Sequence, residues 1–302
     1  MSITRLQEKI GELQNPTVVG LDPDLAHIPP EILERSIAEK GETLDAAANA
    51  AAGFCKGIID AICDIVPAVK PQSAYYEMLG PAGVAALGQV CDYAGSKGMY
   101  VILDGKRNDI GSTAVAYSAA YLGTVKVGKA ELTPFNADAL TVNAYLGSDG
   151  IKPFIETAEK HDKAIFALVK TSNPSAGELQ DKLIGKDRLY TLVGDLMEAI
   201  SHDTTDKHGF TRVGAVVGAT YPQEAAFLRE RLKHTFFLVP GYGAQGGSAD
   251  EAAYAFDKNG NGAIVNSSRG IIAAWKKHGG DYAAAARKEA LIMRDALRKA
   301  VY

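Results

Sequence analysis

Short apolar runs recur along the chain, and each breaks off in a polar or glycine-containing turn. They occupy residues 17–22 (TVVGLD), 66–71 (VPAVKP), 99–104 (MYVILD) and 139–145 (ALTVNAY). Four more lie at 164–170 (AIFALVK), 213–219 (VGAVVGA), 236–240 (FFLVP) and 262–267 (GAIVNS). Runs this rich in Val, Ile, Leu and Phe predict strands buried on both faces, as in a parallel sheet. Between them, residues 44–65, 74–97 and 113–127 carry apolar residues at spacings of three and four, which predicts helices. The same pattern returns at 183–201, 222–233 and 249–257, and an Ala-rich helix is predicted over 281–301. Pro222 stands near the start of its helix, where proline is tolerated. Eight strands alternating with helices, with no Pro/Ser-rich linker, predict an α/β chain folded as one closed (β/α)8 TIM barrel over residues 1–302. An open doubly wound sheet would more often show a glycine-rich fingerprint after its first strand, and GLDPD is not one.

Composition narrows the function classes. With 302 residues, 47% hydrophobic and 23% charged, the chain reads as a water-soluble globular protein. A net charge of −4 argues against a nucleic-acid or anionic-membrane surface, which needs a concentrated basic footprint. A small anionic ligand stays compatible, because a few Lys and Arg side chains reverse the field inside a cleft. Residues 1–14 are amphipathic without the apolar segment of a secretory signal, and no run approaches a membrane span. Three cysteines form an odd set, with Cys55 and Cys63 in an Ala/Ile-rich stretch. Reduced core thiols and a cytoplasmic location are therefore expected.

The chemistry concentrates at the C-terminal ends of the strands, where the active sites of barrels form. Asp22 closes the first run, Lys70 the second and Asp104 the third. In Leu103-Asp104-Gly105-Lys106-Arg107-Asn108-Asp109-Ile110, Asp104 and Lys106 are two apart and share a face if the strand continues. Asp109 falls where the chain turns into the next helix, so it need not point into the same mouth. Asp-Gly-Lys alone is ordinary turn chemistry. The charged ends of the two preceding strands count against a plain solvated turn. An ammonium held among carboxylates is a poor Schiff-base nucleophile and a well-placed proton donor to a carbanion.

A second group closes the chain. The seventh run enters Pro240-Gly241-Tyr242-Gly243-Ala244-Gln245-Gly246-Gly247 and the eighth enters Asn266-Ser267-Ser268-Arg269-Gly270. Loops after strands seven and eight of a barrel recurrently bind phosphate. Glycines permit close backbone approach, Gln245 offers an amide and Arg269 a bidentate guanidinium. Residues 141–145 and 170–175 put further polar groups at strand ends, suited to reading a heterocycle's edge or simply capping turns. The connections 25–41 and 171–186 are long enough to build an active face. The six His are scattered without zinc-site spacing, so no metal is expected. Trp275 and the Tyr75-Tyr76 pair read as packing.

Residues 103–110 resemble the Asp-x-Lys-x-x-Asp-Ile signature of the orotidine 5′-phosphate decarboxylase family. GLDPD, VKPQSAYYE, LVKTSNPS, VVGATYP and VPGYGAQGG are similar to its longer bacterial branch, in the same order over residues 19–269. The resemblance implies cofactor-free decarboxylation of orotidine 5′-monophosphate to uridine 5′-monophosphate, the last step of de novo pyrimidine synthesis. By the same resemblance Lys106 is the proton donor to C6, Asp104 faces the substrate carboxylate, and Lys70 links that carboxylate to the ribose. Asp22 is similar to the ribose-hydroxyl ligand, and Gln245 and Arg269 match the phosphate contacts. Asp109 and Thr113 resemble residues lent to the neighbouring subunit of a homodimer. Asn143 would read the pyrimidine, although Ala144 stands where the family is expected to carry Pro, and residues 171–186 map to no assigned position. The rival readings are a Mg²⁺-dependent sugar-phosphate lyase, a Schiff-base aldolase using Lys170 or Lys106, and a non-catalytic phosphate-binding barrel. The first would need an extra acidic ligand near Lys70.

Overall fold

The computed structural model describes residues 1–201, 205–243 and 246–302. Eight parallel strands close a barrel: β1 (Thr17–Leu21), β2 (Ala68–Pro71), β3 (Tyr100–Arg107), β4 (Ala139–Val142), β5 (Ala164–Lys170), β6 (Val213–Val217), β7 (Phe237–Val239) and β8 (Ala263–Ser267). Each strand pairs with its sequence neighbours, and β8 closes on β1 through Thr17↔Val265 and Val18↔Asn266. All eight apolar runs become barrel strands, so the (β/α)8 expectation holds.

Alternation sorts the strand residues into two cores. Val18, Ala68, Ile102, Phe166, Val216, Leu238 and Ile264 fill the barrel interior. Their neighbours Val19, Val69, Val101, Leu103, Ala167, Val217 and Val265 pack outward beneath the helices. The inner layer is tight: a Cβ on Gly214 would lie 2.5 Å from the Phe166 ring. The bottom of the barrel is stopped by the helix Ser2–Leu13, whose Ile3, Leu6 and Ile10 join the inner cluster. The top is left for polar residues.

Several helices differ from the expectation. Residues 74–97 divide into Ser73–Glu77 and Gly80–Ser96, because Gly80 takes a φ of 65° and Pro81 follows it. The helix expected over 113–127 runs from Gly111 to Leu122, after which Val125–Val127 and Ala130–Leu132 form a hairpin. The helix expected from residue 183 starts at Leu189, since Leu183–Ile184 pairs with Asp187–Arg188 around Gly185. The 25–41 connection contains a helix, Pro30–Lys40. The helix Ser148–Lys160 was masked by Gly150 and Pro153, although its buried Ile151, Phe154, Ile155 and Ala158 keep helical spacing. No helix among the described residues is long and apolar enough to cross a membrane.

Candidate active site

The inward parity of the barrel continues upward into a polar layer. Counting in twos from Ala68 reaches Lys70 and Gln72, from Ile102 reaches Asp104, and from Ala139 reaches Thr141. The same count from Ile264 reaches Asn266 and Ser268. Gly20 makes room on β1, where a Cβ would stand 1.8 Å from Ser268 Oγ. The residues at the mouth are thus the top of the same stack that fills the core.

Strand β3 departs from regular geometry just where it carries Lys106. Leu103 pairs with Leu140, but the next partner is Arg107 with Val142, so β3 bulges between them. Lys106 takes a φ of 47°, a left-handed conformation that costs a non-glycine residue about 1–2 kcal/mol. Its N–H donates to Thr141 Oγ1 at 3.0 Å, and Thr141 Oγ1 donates in turn to Asp104 Oδ1 at 2.7 Å. Beyond the bulge, Arg107 donates to the Gly105 carbonyl at 2.8 Å and pairs with Glu77.

The bulge delivers the Lys106 ammonium to 2.7 Å from Asp104 Oδ1. Asp104 Oδ2 receives Lys70 Nζ at 2.6 Å and Gln72 Nε2 at 2.9 Å. Burial alone would raise the Asp104 pKa, but the Lys70 and Lys106 ammonium groups overcome it and hold the carboxyl well below its usual range. Burial likewise works against the Lys70 ammonium, and the charges of Asp104 and Asp22 more than offset it. Asp22 behaves oppositely: burial pushes its pKa up, with only partial relief from Lys70 and Ser268. Its Oδ1 is buried with no hydrogen-bond partner among the described residues. A carboxylate kept ionised between two ammonium groups, beside a second carboxylate short of partners, is a site prepared for a polar ligand.

A cavity of about 510 Å³ lies over this array, between Lys106 and Asp104 on one side and Thr171, Ser172, Asn173 and Gln180 on the other. A second cavity of about 440 Å³ shares Asp22, Gly241, Asn266 and Ser268 with the first and extends to Arg269. The two cavities thus adjoin at the mouth, one holding Lys106 and the other reaching exposed Arg269 at the β8 loop. Gln245 falls outside the described residues. Tyr75, expected to be packing, lines the Arg269 end.

Three sequence candidates lie off this cleft. Asp109 accepts the N–H of Ile110 at 2.8 Å and does not line the cavity. Thr113 is exposed on the first turn of the helix Gly111–Leu122. Asn143 is exposed and accepts the Tyr145 N–H at 3.1 Å. It borders an apolar pocket of about 310 Å³ that shares Leu168 and Gln180 with the main cavity. Gln72, Asn266 and Ser268 were missed as site residues, although strand parity from Lys70 and from β8 would have found them. Thr141, for which edge reading and turn capping were both open, is committed to Asp104 and Lys106. Near Lys70 the side chain that reaches Asp104 is the Gln72 amide, and Glu77 is turned to Arg107. Among the described residues, the end of β2 itself thus brings no acidic ligand of the kind the lyase reading needs.

Fold and site define a (β/α)8 barrel enzyme with a lysine–carboxylate–lysine centre at the strand ends. The sequence profile of the orotidine 5′-phosphate decarboxylase / HUMPS family matches residues 35–286. An orotidine 5′-phosphate decarboxylase from Rhodopirellula baltica is 48% identical over 274 residues, 91% of this chain and 89% of that protein. One from Clostridium perfringens is 38% identical over 304 residues, 100% of this chain and 99% of the relative. The solved structure of Leishmania donovani OMP decarboxylase superposes with a TM-score of 0.74 at 31% identity, covering 99% of both chains. The chain belongs to the orotidine 5′-phosphate decarboxylase family.

Proposed function

We propose that this chain decarboxylates orotidine 5′-monophosphate to uridine 5′-monophosphate without a cofactor, with Lys106 as the proton donor. The observation that carries the reading is the Lys70–Asp104–Lys106 array beneath the cavity. In the reaction the bond between C6 and the carboxyl carbon breaks and CO2 leaves. The electron pair stays on C6, and a proton moves from Lys106 Nζ to that carbon. The developing charge is stabilised by an ammonium already fixed in place, so little reorganisation is needed. Asp104 faces the substrate carboxylate and disfavours it before the bond breaks. Remote binding of the phosphate by Arg269 and Gln245 offsets that repulsion.

Lys70 joins Asp104 to the ribose, and Asp22, with an oxygen lacking a partner, takes a ribose hydroxyl. Asp109 and Thr113 serve the neighbouring site of a homodimer. The position of Asp109 off its own cavity favours this, as do the exposed Ile110 and Val115 beside it. Asn143, lying off the cavity, is left as a contact of the mouth's rim. The protein works as a single-domain cytoplasmic enzyme on a small-molecule substrate, and its net charge of −4 disfavours nucleic acid or membrane as partner.

The test is an ultraviolet assay for loss of orotidine 5′-monophosphate with EDTA present, on wild type and Lys106→Ala. Wild type is expected to turn over, and the variant to lose roughly 10³-fold or more in kcat. A wild type silent under these conditions would overturn the reading.

A further inference from the structure

Strand β5 ends on a lysine that the cleft does not use. The Lys170 side chain is fully buried, with an exposure of 0%, although an ammonium out of water costs several kcal/mol unless it is paired. Its Nζ lies 2.6 Å from Asp181 Oδ1, and the Tyr221 and Tyr190 rings face it with centroids at 4.3 and 5.4 Å. Asp181 comes from the far side of the loop that leaves β5, 11 residues on. The ion pair therefore ties the two ends of that loop together at its base.

A second clasp sits beside the first. The Thr171 N–H donates to Gln180 Oε1 at 2.9 Å, and Gln180 Nε2 donates to Thr171 Oγ1 at 2.7 Å. Thr171 Oγ1 donates in turn to Asn173 Oδ1 at 2.6 Å. Thr171, Ser172, Asn173 and Gln180 are the polar wall of the cavity opposite Lys106 and Asp104. Three sides of the cleft have destinations for a nucleotide: the reacting carbon at β3, the ribose at β1 and the phosphate at β8. The β5 loop is the polar surface left to meet the edge of the ring.

We propose that the Lys170–Asp181 pair is a positioning clasp that holds Thr171, Ser172, Asn173 and Gln180 in register to recognise the heterocycle. The clasp touches no substrate atom. It rests on the nucleotide-decarboxylase reading above. Lys170 has this structural partner in place of an open face, so it is not a Schiff-base lysine.

The experiment compares two competitive inhibitors, uridine 5′-monophosphate and ribose 5-phosphate, on wild type and Asp181→Ala. The variant should bind uridine 5′-monophosphate about tenfold more weakly while ribose 5-phosphate changes little, because only the former carries the ring. Equal weakening of both ligands, or of neither, overturns the proposal. If Asp181→Ala does not fold, the charge-free double variant Lys170→Met/Asp181→Leu takes its place, with the same outcomes required. A wild type that neither turns over orotidine 5′-monophosphate nor binds uridine 5′-monophosphate would refute the functional reading separately. The clasp is then judged by hydrogen exchange: protection of the Thr171 amide should be lost in the variant, and its retention overturns the clasp.

Discussion

Lys106 Nζ lies 2.7 Å from Asp104 Oδ1, and the two meet across a bulge in which the lysine takes a left-handed conformation. The carboxylate between Lys106 and Lys70 is therefore held by backbone geometry as well as by charge.

Asp104 ionises below its unfolded value in the folded protein. Its contribution to stability is complete above the ordinary carboxylate range and is lost only as pH falls through the depressed folded value. Asp104→Asn removes that contribution at neutral pH and leaves the Lys70 ammonium, 5% exposed, without its nearest counter-charge. Removing one partner of a buried pair costs about 3–5 kcal/mol. Calorimetry at neutral pH should show a lower melting midpoint, with the gap to wild type narrowing in alkali as Lys70 sheds its proton. Coincident midpoints at neutral pH would refute the buried pair.

Asp22 has the opposite sign. Its folded pKa is raised, so the ionised group opposes folding, fully above the folded value and not at all below the unfolded one. Asp22→Asn should therefore melt higher than wild type at about pH 8 and match it near pH 3. The same variant should bind nucleotide about tenfold more weakly, since an amide replaces the acceptor. A substitution that neither stabilises the protein nor weakens binding would remove Asp22 from the site.

These groups were unevenly legible in the sequence. Asp22, Lys70 and Asp104 could be read because each follows an apolar run and the inward parity of a strand is a local property. Gln72, Asn266 and Ser268 obey the same parity but carry no charge to attract notice. Lys106 was read as sharing a face with Asp104. The bulge that brings it there depends on pairing with β4, which a single strand does not encode. The Lys170–Asp181 clasp was invisible for a related reason. It joins residues 11 apart across a loop, and the rings that face the Lys170 ammonium, Tyr190 and Tyr221, come from still farther along the chain. Helix ends at 122 and 189 were displaced by hairpins, whose glycine turns weigh more locally than helical spacing.

The off-cleft position of Asp109 gives the proposed dimer its own test. Asp109→Ala and Lys106→Ala chains, each nearly inactive alone, should recover activity when mixed and allowed to exchange. With random pairing, half the dimers are mixed and each has one intact site, so recovery approaches about a quarter of the wild-type rate. Mixed dimers demonstrated by mass spectrometry but without recovery would assign Asp109 to its own chain or to no site.

Thr141 tests the bulge itself. Its hydroxyl, 1% exposed, accepts the Lys106 N–H and donates to Asp104, so one group fixes both the backbone of the proton donor and the carboxylate beneath it. Valine fills the same space but offers neither bond, leaving the Lys106 amide without an acceptor at about 1–3 kcal/mol. Lys106 would relax from its left-handed conformation, and its ammonium would shift from the reacting carbon. Misplacement on the order of 1 Å can cost about 10²-fold in rate. Thr141→Val should therefore lower kcat by about that factor with little change in KM, because the phosphate and ribose contacts lie elsewhere. Thr141→Ser, which keeps the hydroxyl, should restore most of the rate. A serine variant as slow as the valine one, or a loss confined to KM, would show that Thr141 fills space and does not position Lys106.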